Sequence, residues 1–179
     1  MEHTQDNTGD APTAAQIAAA VTAQHGMIKT AFHAAKTGSG EERQAATRRL
    51  LRLLAMHEAA EQLSVHPALA RAGGGEVGVG DDRMAEEQQA VQLAERLQGF
   101  EPDSYEHNMQ LALLEEAVTH HAAAEELSEL PLFDDLTATE RLTIFQALGA
   151  VARAVEEDNL VGYTDFSSMV RETTSWLNR

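Results

Sequence analysis

Two histidine–glutamate pairs carry the first readable chemistry of this chain. His57-Glu58-Ala59-Ala60-Glu61 and His121-Ala122-Ala123-Ala124-Glu125 each place a carboxylate four residues after an imidazole. On a helix, residues four apart lie about 40° from one another and roughly 6 Å apart along the axis, so each pair points at one site. Both pairs fall where a core would want leucine. One apolar stripe runs Leu50, Leu53 or Leu54, His57, Glu61, Ser64; another runs Leu111, Leu114, Val118, His121, Glu125, Ser128. A third stripe, Ile17, Val21, His25, Ile28, Phe32, Ala35, has a histidine at its middle. Burying a lone carboxylate or imidazolium is costly, so such groups persist on a core face when they are paired or bound to a metal. Two His-x-x-x-Glu pairs facing each other, with His25, form a set of nitrogen and oxygen donors. That set suits iron or manganese, and its carboxylates can bridge two ions.

The stripes need helices to carry them. Breaks at Gly38-Ser39-Gly40, Pro67, Gly73–Gly80, Gly99–Pro102 and Pro131 separate segments of helical periodicity. The segments are read as Thr13–Lys36, Glu41–Ser64, Asp81–Gln98 and Asp103–Leu130. Thr137-Ala138-Thr139-Glu140 is a capping box that opens a fifth helix through Glu157, and a shorter one spans Phe166–Leu177. Short links make neighbours antiparallel. The expected fold is therefore all-α: an up-down-up-down four-helix bundle over residues 13–133, with additional C-terminal helices over 134–179 packed on it, and residues 1–12 as a loose tail.

Composition narrows the function. Aromatics are 4% of the 179 residues, too few for a sandwich or barrel. Thirteen Lys and Arg stand against 29 Asp and Glu, a net charge of −16 that repels phosphate backbones and anionic membranes, so no nucleic-acid or membrane partner is expected. The absence of cysteine excludes disulfides, thiolate-held zinc, iron–sulfur clusters and thiol catalysis. No apolar run is long enough for a membrane span. Met1–Pro12 has neither the basic nor the apolar region of a signal peptide, so a cytoplasmic location is expected. Gly73–Gly80 lacks the Lys-Ser/Thr of a phosphate-binding loop and reads as a linker.

With these residues in place, the chain resembles the hemerythrin-like, HHE cation-binding family of four-helix di-iron proteins. The resemblance runs from Ile17 to Phe133. It rests on Gln24-His25-Gly26 through Phe32, on His57 to Glu61 followed by His66-Pro67, and on His121 to Glu126 followed by Leu130-Pro131. The family pattern is His, HxxxE, His, HxxxE. Its second single histidine, in an Ala-Glu-His near the start of the third helix, corresponds here to Ala85-Glu86-Glu87-Gln88. On that reading Glu87 replaces the histidine. Met84, Glu87, Val91 and Ala94 share one stripe, with Glu86 at its edge and Gln88 pointing away.

The resemblance implies two non-haem iron ions, oxo- or hydroxo-bridged, with manganese as the alternative metal. Glu61 and Glu125 would bridge, and His25, His57, His121 and Glu87 would be terminal ligands. It further implies binding or reduction of a small oxidant (dioxygen, nitric oxide or peroxide) in a response to oxidant or iron stress. Glu87 adds an anion that stabilises ferric over ferrous iron, favouring peroxide chemistry or redox sensing over reversible oxygen carriage. The alternatives are a non-catalytic module that stores or senses iron or redox state, and a degenerate bundle without metal. His107, roughly 21 Å along the axis from His121, is read as a surface or boundary residue. His120 is read as second-layer or exposed, and His33 and His66 as lying away from the site. Tyr105, Tyr163 and Trp176 are read as packing residues.

Overall fold

The structure is a computed structural model that describes residues 11–72, 79–157 and 165–178, with side chains described outside 79–85. Among these residues there is no strand. The helices are α1 (Ala14–Thr37), α2 (Gly40–Ala60), α3 (His66–Arg71), α4 (Val79–Leu97), α5 (Tyr105–Ser128), α6 (Ala138–Glu156) and α7 (Phe166–Leu177). No helix among the described residues is long and apolar enough to cross a membrane.

Local chemistry sets the helix starts. Thr13 and Gln16 form a capping box on α1, and Thr137 and Glu140 form the expected one on α6. Ser104 caps α5 and Asp165 caps α7, each accepting the N–H three residues on. Between α1 and α2 the chain reverses at Gly38-Ser39-Gly40. Gly40 sits at φ 55, a left-handed conformation that a side chain would strain, and its N–H donates to Asp103.

The second helix does not stop where the sequence reading ends it. α2 passes into a π-helical turn, Glu61–Val65, and then directly into α3. Pro67, read as a break, lies in the first turn of α3 and does not interrupt the helical course of the chain. Of the Gly-rich linker, residues 73–78 lie outside the described residues. So do residues 1–10 of the expected tail. Pro12 is fastened, its carbonyl accepting from Arg141 at 2.9 Å.

α2 is the central element. Every residue from Leu53 to Glu61 is buried, because α1, α6 and α7 all pack on it. Over this stretch the helix has no solvent face, which is why Leu53 and Leu54 are both in the core. α5 packs on α1 and α4. His25 meets Glu125 and Lys36 meets Glu115, so α1 and α5 run in opposite directions. One hydrophobic cluster includes Ile17, Val21, Ile28 and Phe32 of α1, Leu50 and Leu54 of α2, and Ile144, Leu148 and Val151 of α6.

Candidate metal centre

The site lies where α1, α2 and α5 face each other. His25, His57, Glu61 and Glu125 each bring one donor atom to within 4.8 Å of the others. His57 Nε2 is 3.1 Å from Glu61 Oε1, and His25 Nε2 is 3.2 Å from Glu125 Oε2. His121 joins at the edge, its Nε2 4.0 Å from the same Glu125 oxygen. The His25 and His57 rings meet edge to face at 5.1 Å between centroids.

All three imidazoles are held the same way. His57 Nδ1 is 3.0 Å from Gln24 Oε1, and the Gln24 amide donates to the Leu148 carbonyl of α6 at 2.9 Å. Because that amide nitrogen is committed to a carbonyl, the Gln24 oxygen must accept, and His57 donates from Nδ1. Its Nε2 lone pair is thereby left facing Glu61. His25 Nδ1 is 2.8 Å from Glu126, and His121 Nδ1 is 3.3 Å from Glu86. Outer partners that fix Nδ1 and present Nε2 are the arrangement of metal-binding histidines.

The carboxylates lack what a buried charge requires. Glu61 is 0% exposed, and neither of its oxygens has a hydrogen-bond partner among the described residues. The Nε2 atoms of His25 and His121 are in the same condition. Burial, then the Glu125 and Glu58 charges, holds the Glu61 carboxyl well above the ordinary range. Glu58 is pushed up to about 8 by burial and by Glu87 and Glu125. Burial also opposes the Glu125 charge, but His25, His57 and His121 outweigh it and hold that carboxyl below its ordinary value. His57 is lowered to about 3, chiefly by burial. Burial works against His25 too, and there the Glu125 and Glu126 carboxylates win and raise it. A cation would relieve this strain, and the mixed imidazole and carboxylate donors fit a first-row transition ion.

Glu87, from α4, is buried, with Glu86 half-buried beside it and Gln88 exposed, the rotation expected from its stripe. Its Oε2 accepts from Gln62 at 3.1 Å, and its Oε1 stands 3.4 Å from His66 Nδ1. It is not one of the four groups converging with His25. His66, read as lying away from the site, instead brings a donor atom to within 4.8 Å of one on Glu125. The expected helix ends at Ser64, whereas the chain continues through the π turn into α3 and carries His66 with it.

His107 also differs from expectation. It is 1% exposed rather than a surface residue, because its turn of α5 meets α2, where Thr47 Oγ1 lies 3.4 Å from its Nε2. His120 and His33 are exposed. Tyr105, read as packing, is 75% exposed on a first turn that nothing covers, whereas Trp176 packs on the core. Met84, Tyr163 and His3 lie outside what is described of side chains. Three groups at the site escaped the sequence reading. Gln24 and Glu58 carry no spacing signal, but Glu129 continues the four-residue step of His121 and Glu125 and could have been found.

A cavity of about 390 Å³ opens onto the site, lined by Ile28, Phe32, Leu54 and Val118 as well as by His25, His57 and His121. Comparison with curated proteins and with solved structures gave no significant match. Residues 16–133 match the family model of the hemerythrin HHE cation binding domain. That span contains the whole His/Glu cluster and both His-x-x-x-Glu pairs, and the chain belongs to that family.

Proposed function

We propose that this protein is a hemerythrin-like di-metal protein that binds or reduces a small oxidant: dioxygen, nitric oxide or peroxide. The observation that carries the reading is the shared orientation of His25, His57 and His121 about the carboxylates Glu61 and Glu125. Each Nδ1 is tied to an outer group, each Nε2 is turned inward, and the Glu61 carboxylate is fully buried with no hydrogen-bond partner among the described residues. His25, His57 and His121 would hold the metal centre together with the carboxylates Glu61 and Glu125, and a carboxylate can bridge two ions. Glu87 contributes a buried negative charge from the α4 side. Two iron ions suit the donor set, and manganese is the alternative.

When bound, such a centre supplies electrons to, or an open coordination position for, the oxidant. The rest is the work of the chain. Ile28, Phe32, Leu54 and Val118 make an apolar approach that favours a small uncharged ligand over water. Gln24, Glu126 and Glu86 keep the three imidazoles in one tautomer. Glu58, half-neutral near pH 8 before metal binds, is placed to hold a proton at the cavity wall. The four helices α1, α2, α4 and α5 are read as an up-down-up-down bundle over residues 13–133, supported by the His25–Glu125 and His121–Glu86 pairings, with residues 134–179 as a buttress.

The test is metal analysis with optical spectroscopy on protein made in iron-replete cells, followed by peroxide and nitric oxide addition. Two irons per chain, a near-ultraviolet charge-transfer band and a spectral response to one of these ligands are expected. A metal-free chain with unaltered stability would sink the reading.

A further inference from the structure

α4 carries no histidine. The donors around Glu61 all come from α1, α2 and α5, and they account for one ion position. A second set shares a member with the first. One donor atom each of His66, Glu125 and Glu129 lies within 4.8 Å of the other two. Glu125 is 1% exposed and Glu129 3%. Glu125 is thus the one residue common to both sets, and its two oxygens have no hydrogen-bond partner among the described residues.

His66 reaches this position because of the π turn. Nine residues of continuous α-helix would place it about 180° from His57, on the far side of α2. An i→i+5 turn takes about one more residue to complete than an α turn, so each residue from Glu61 to Val65 rotates the chain less, and His66 is carried back toward the Glu61 face. Once there, it follows the pattern of the other three histidines. Its Nδ1 faces a carboxylate, Glu87, whose other oxygen is held by Gln62, and its Nε2 is buried without a hydrogen-bond partner among the described residues. The same outer role is filled by Gln24 for His57, Glu126 for His25 and Glu86 for His121.

We propose that His66, Glu125 and Glu129 hold the second metal ion, a divalent first-row transition cation, and that Glu87 is the positioning residue that orients His66. This rests on the di-metal reading above. It assigns the second position to a histidine of the second helix, delivered by a helix irregularity, and gives Glu87 a place behind that histidine.

The full chain, stripped of metal, is titrated with Mn(II), with stoichiometry read by equilibrium dialysis and the electron paramagnetic spectrum recorded at each step. The parent should take up two ions and show a spin-coupled spectrum. His66→Ala and Glu129→Gln should each bind about one ion and show an uncoupled single-ion spectrum, while Glu87→Gln keeps two sites with the second weakened about tenfold. Two tightly held, coupled ions in both His66→Ala and Glu129→Gln would overturn the inference and leave the di-metal reading standing. So would a parent that binds one ion unaffected by either change. A parent that binds none would overturn both. Circular dichroism checks that helix content is retained, and if either variant unfolds the other decides.

Discussion

The same five-residue pattern, His-x-x-x-Glu, occurs in α2 and in α5, and the two copies have different physical fates. In α2 the pair is sealed on all sides, His57 Nε2 is 3.1 Å from Glu61, and the Glu61 carboxyl is driven upward by burial. In α5 the helix lies at the edge of the bundle, where Leu113 and Leu127 are exposed and His121 stands 4.0 Å from Glu125. There three histidines draw the Glu125 carboxyl below its ordinary value despite its burial. α5 stays α-helical through Ser128, whereas α2 turns π at Glu61. Spacing makes a pair available; the neighbours decide its charge and its reach.

The largest test of that contrast is to delete one histidine from each copy. His57→Ala and His121→Ala should both abolish stable metal loading with helix content largely retained. His57→Ala should also cost the metal-free fold about 2–3 kcal/mol, because it opens a cavity and leaves the Gln24 oxygen without its donor. His121 is at a looser edge, so its removal should cost less than about 1 kcal/mol. Equal losses, measured by urea denaturation of the stripped proteins, would erase the distinction.

Next is the support behind each copy. Gln24→Leu keeps the volume but cuts the link from His57 to the Leu148 carbonyl, and metal affinity should fall about tenfold to a hundredfold. Glu126→Gln, at a half-exposed partner of His25, should cost less than tenfold. Competition with a chelator of known affinity ranks them. The reverse order would mean that α6 does not contribute to the site.

Metal removal and pH separate the two copies by their carboxylates. Stripping the metal should lower the melting temperature; saturation at a hundred times Kd is worth about 2.7 kcal/mol. The stripped chain should then be most stable in mild acid. Glu58, with a folded value of about 8, and Glu61 are raised, so their contribution is complete below the ordinary carboxylate range and is lost as pH rises toward 8. His57, lowered to about 3, contributes above pH 6.5 and loses that contribution as pH falls. Two raised carboxyls outweigh one lowered imidazole above the ordinary carboxylate range, so the maximum should lie near pH 4–5, with Glu58→Gln flattening the alkaline side. A stripped protein at its most stable at pH 8 would contradict the buried α2 carboxylates.

The smallest effect is electrostatic. Glu87→Gln removes a buried anion, and the reduction potential of the iron-loaded chain should rise by roughly 50–100 mV, the equivalent of ~1–2 kcal/mol at an effective dielectric of about 20. Autoxidation should slow in parallel. An unchanged potential would place Glu87 too far from the ions to matter.

What the sequence by itself determined is the part governed by helical period. The stripes through His25, His57 and His121, the capping box at Thr137, and the inward rotation of Glu87 follow from about 100° per residue, and they identify the helices and four of the groups that converge. What only the tertiary structure decided is everything that depends on a neighbour or on a departure from that period. The π turn that returns His66 to the site is a local break in the very regularity used to place it. The Gln24–Leu148 bond joins residues 124 apart in sequence. His107 and Glu58 are buried because α2 lies at the centre of the fold, a fact that no periodicity on their own helices encodes. Periodicity fixes which way a side chain points along its own helix; which helices cover it, and what they leave unpaired, is settled only when the chain packs.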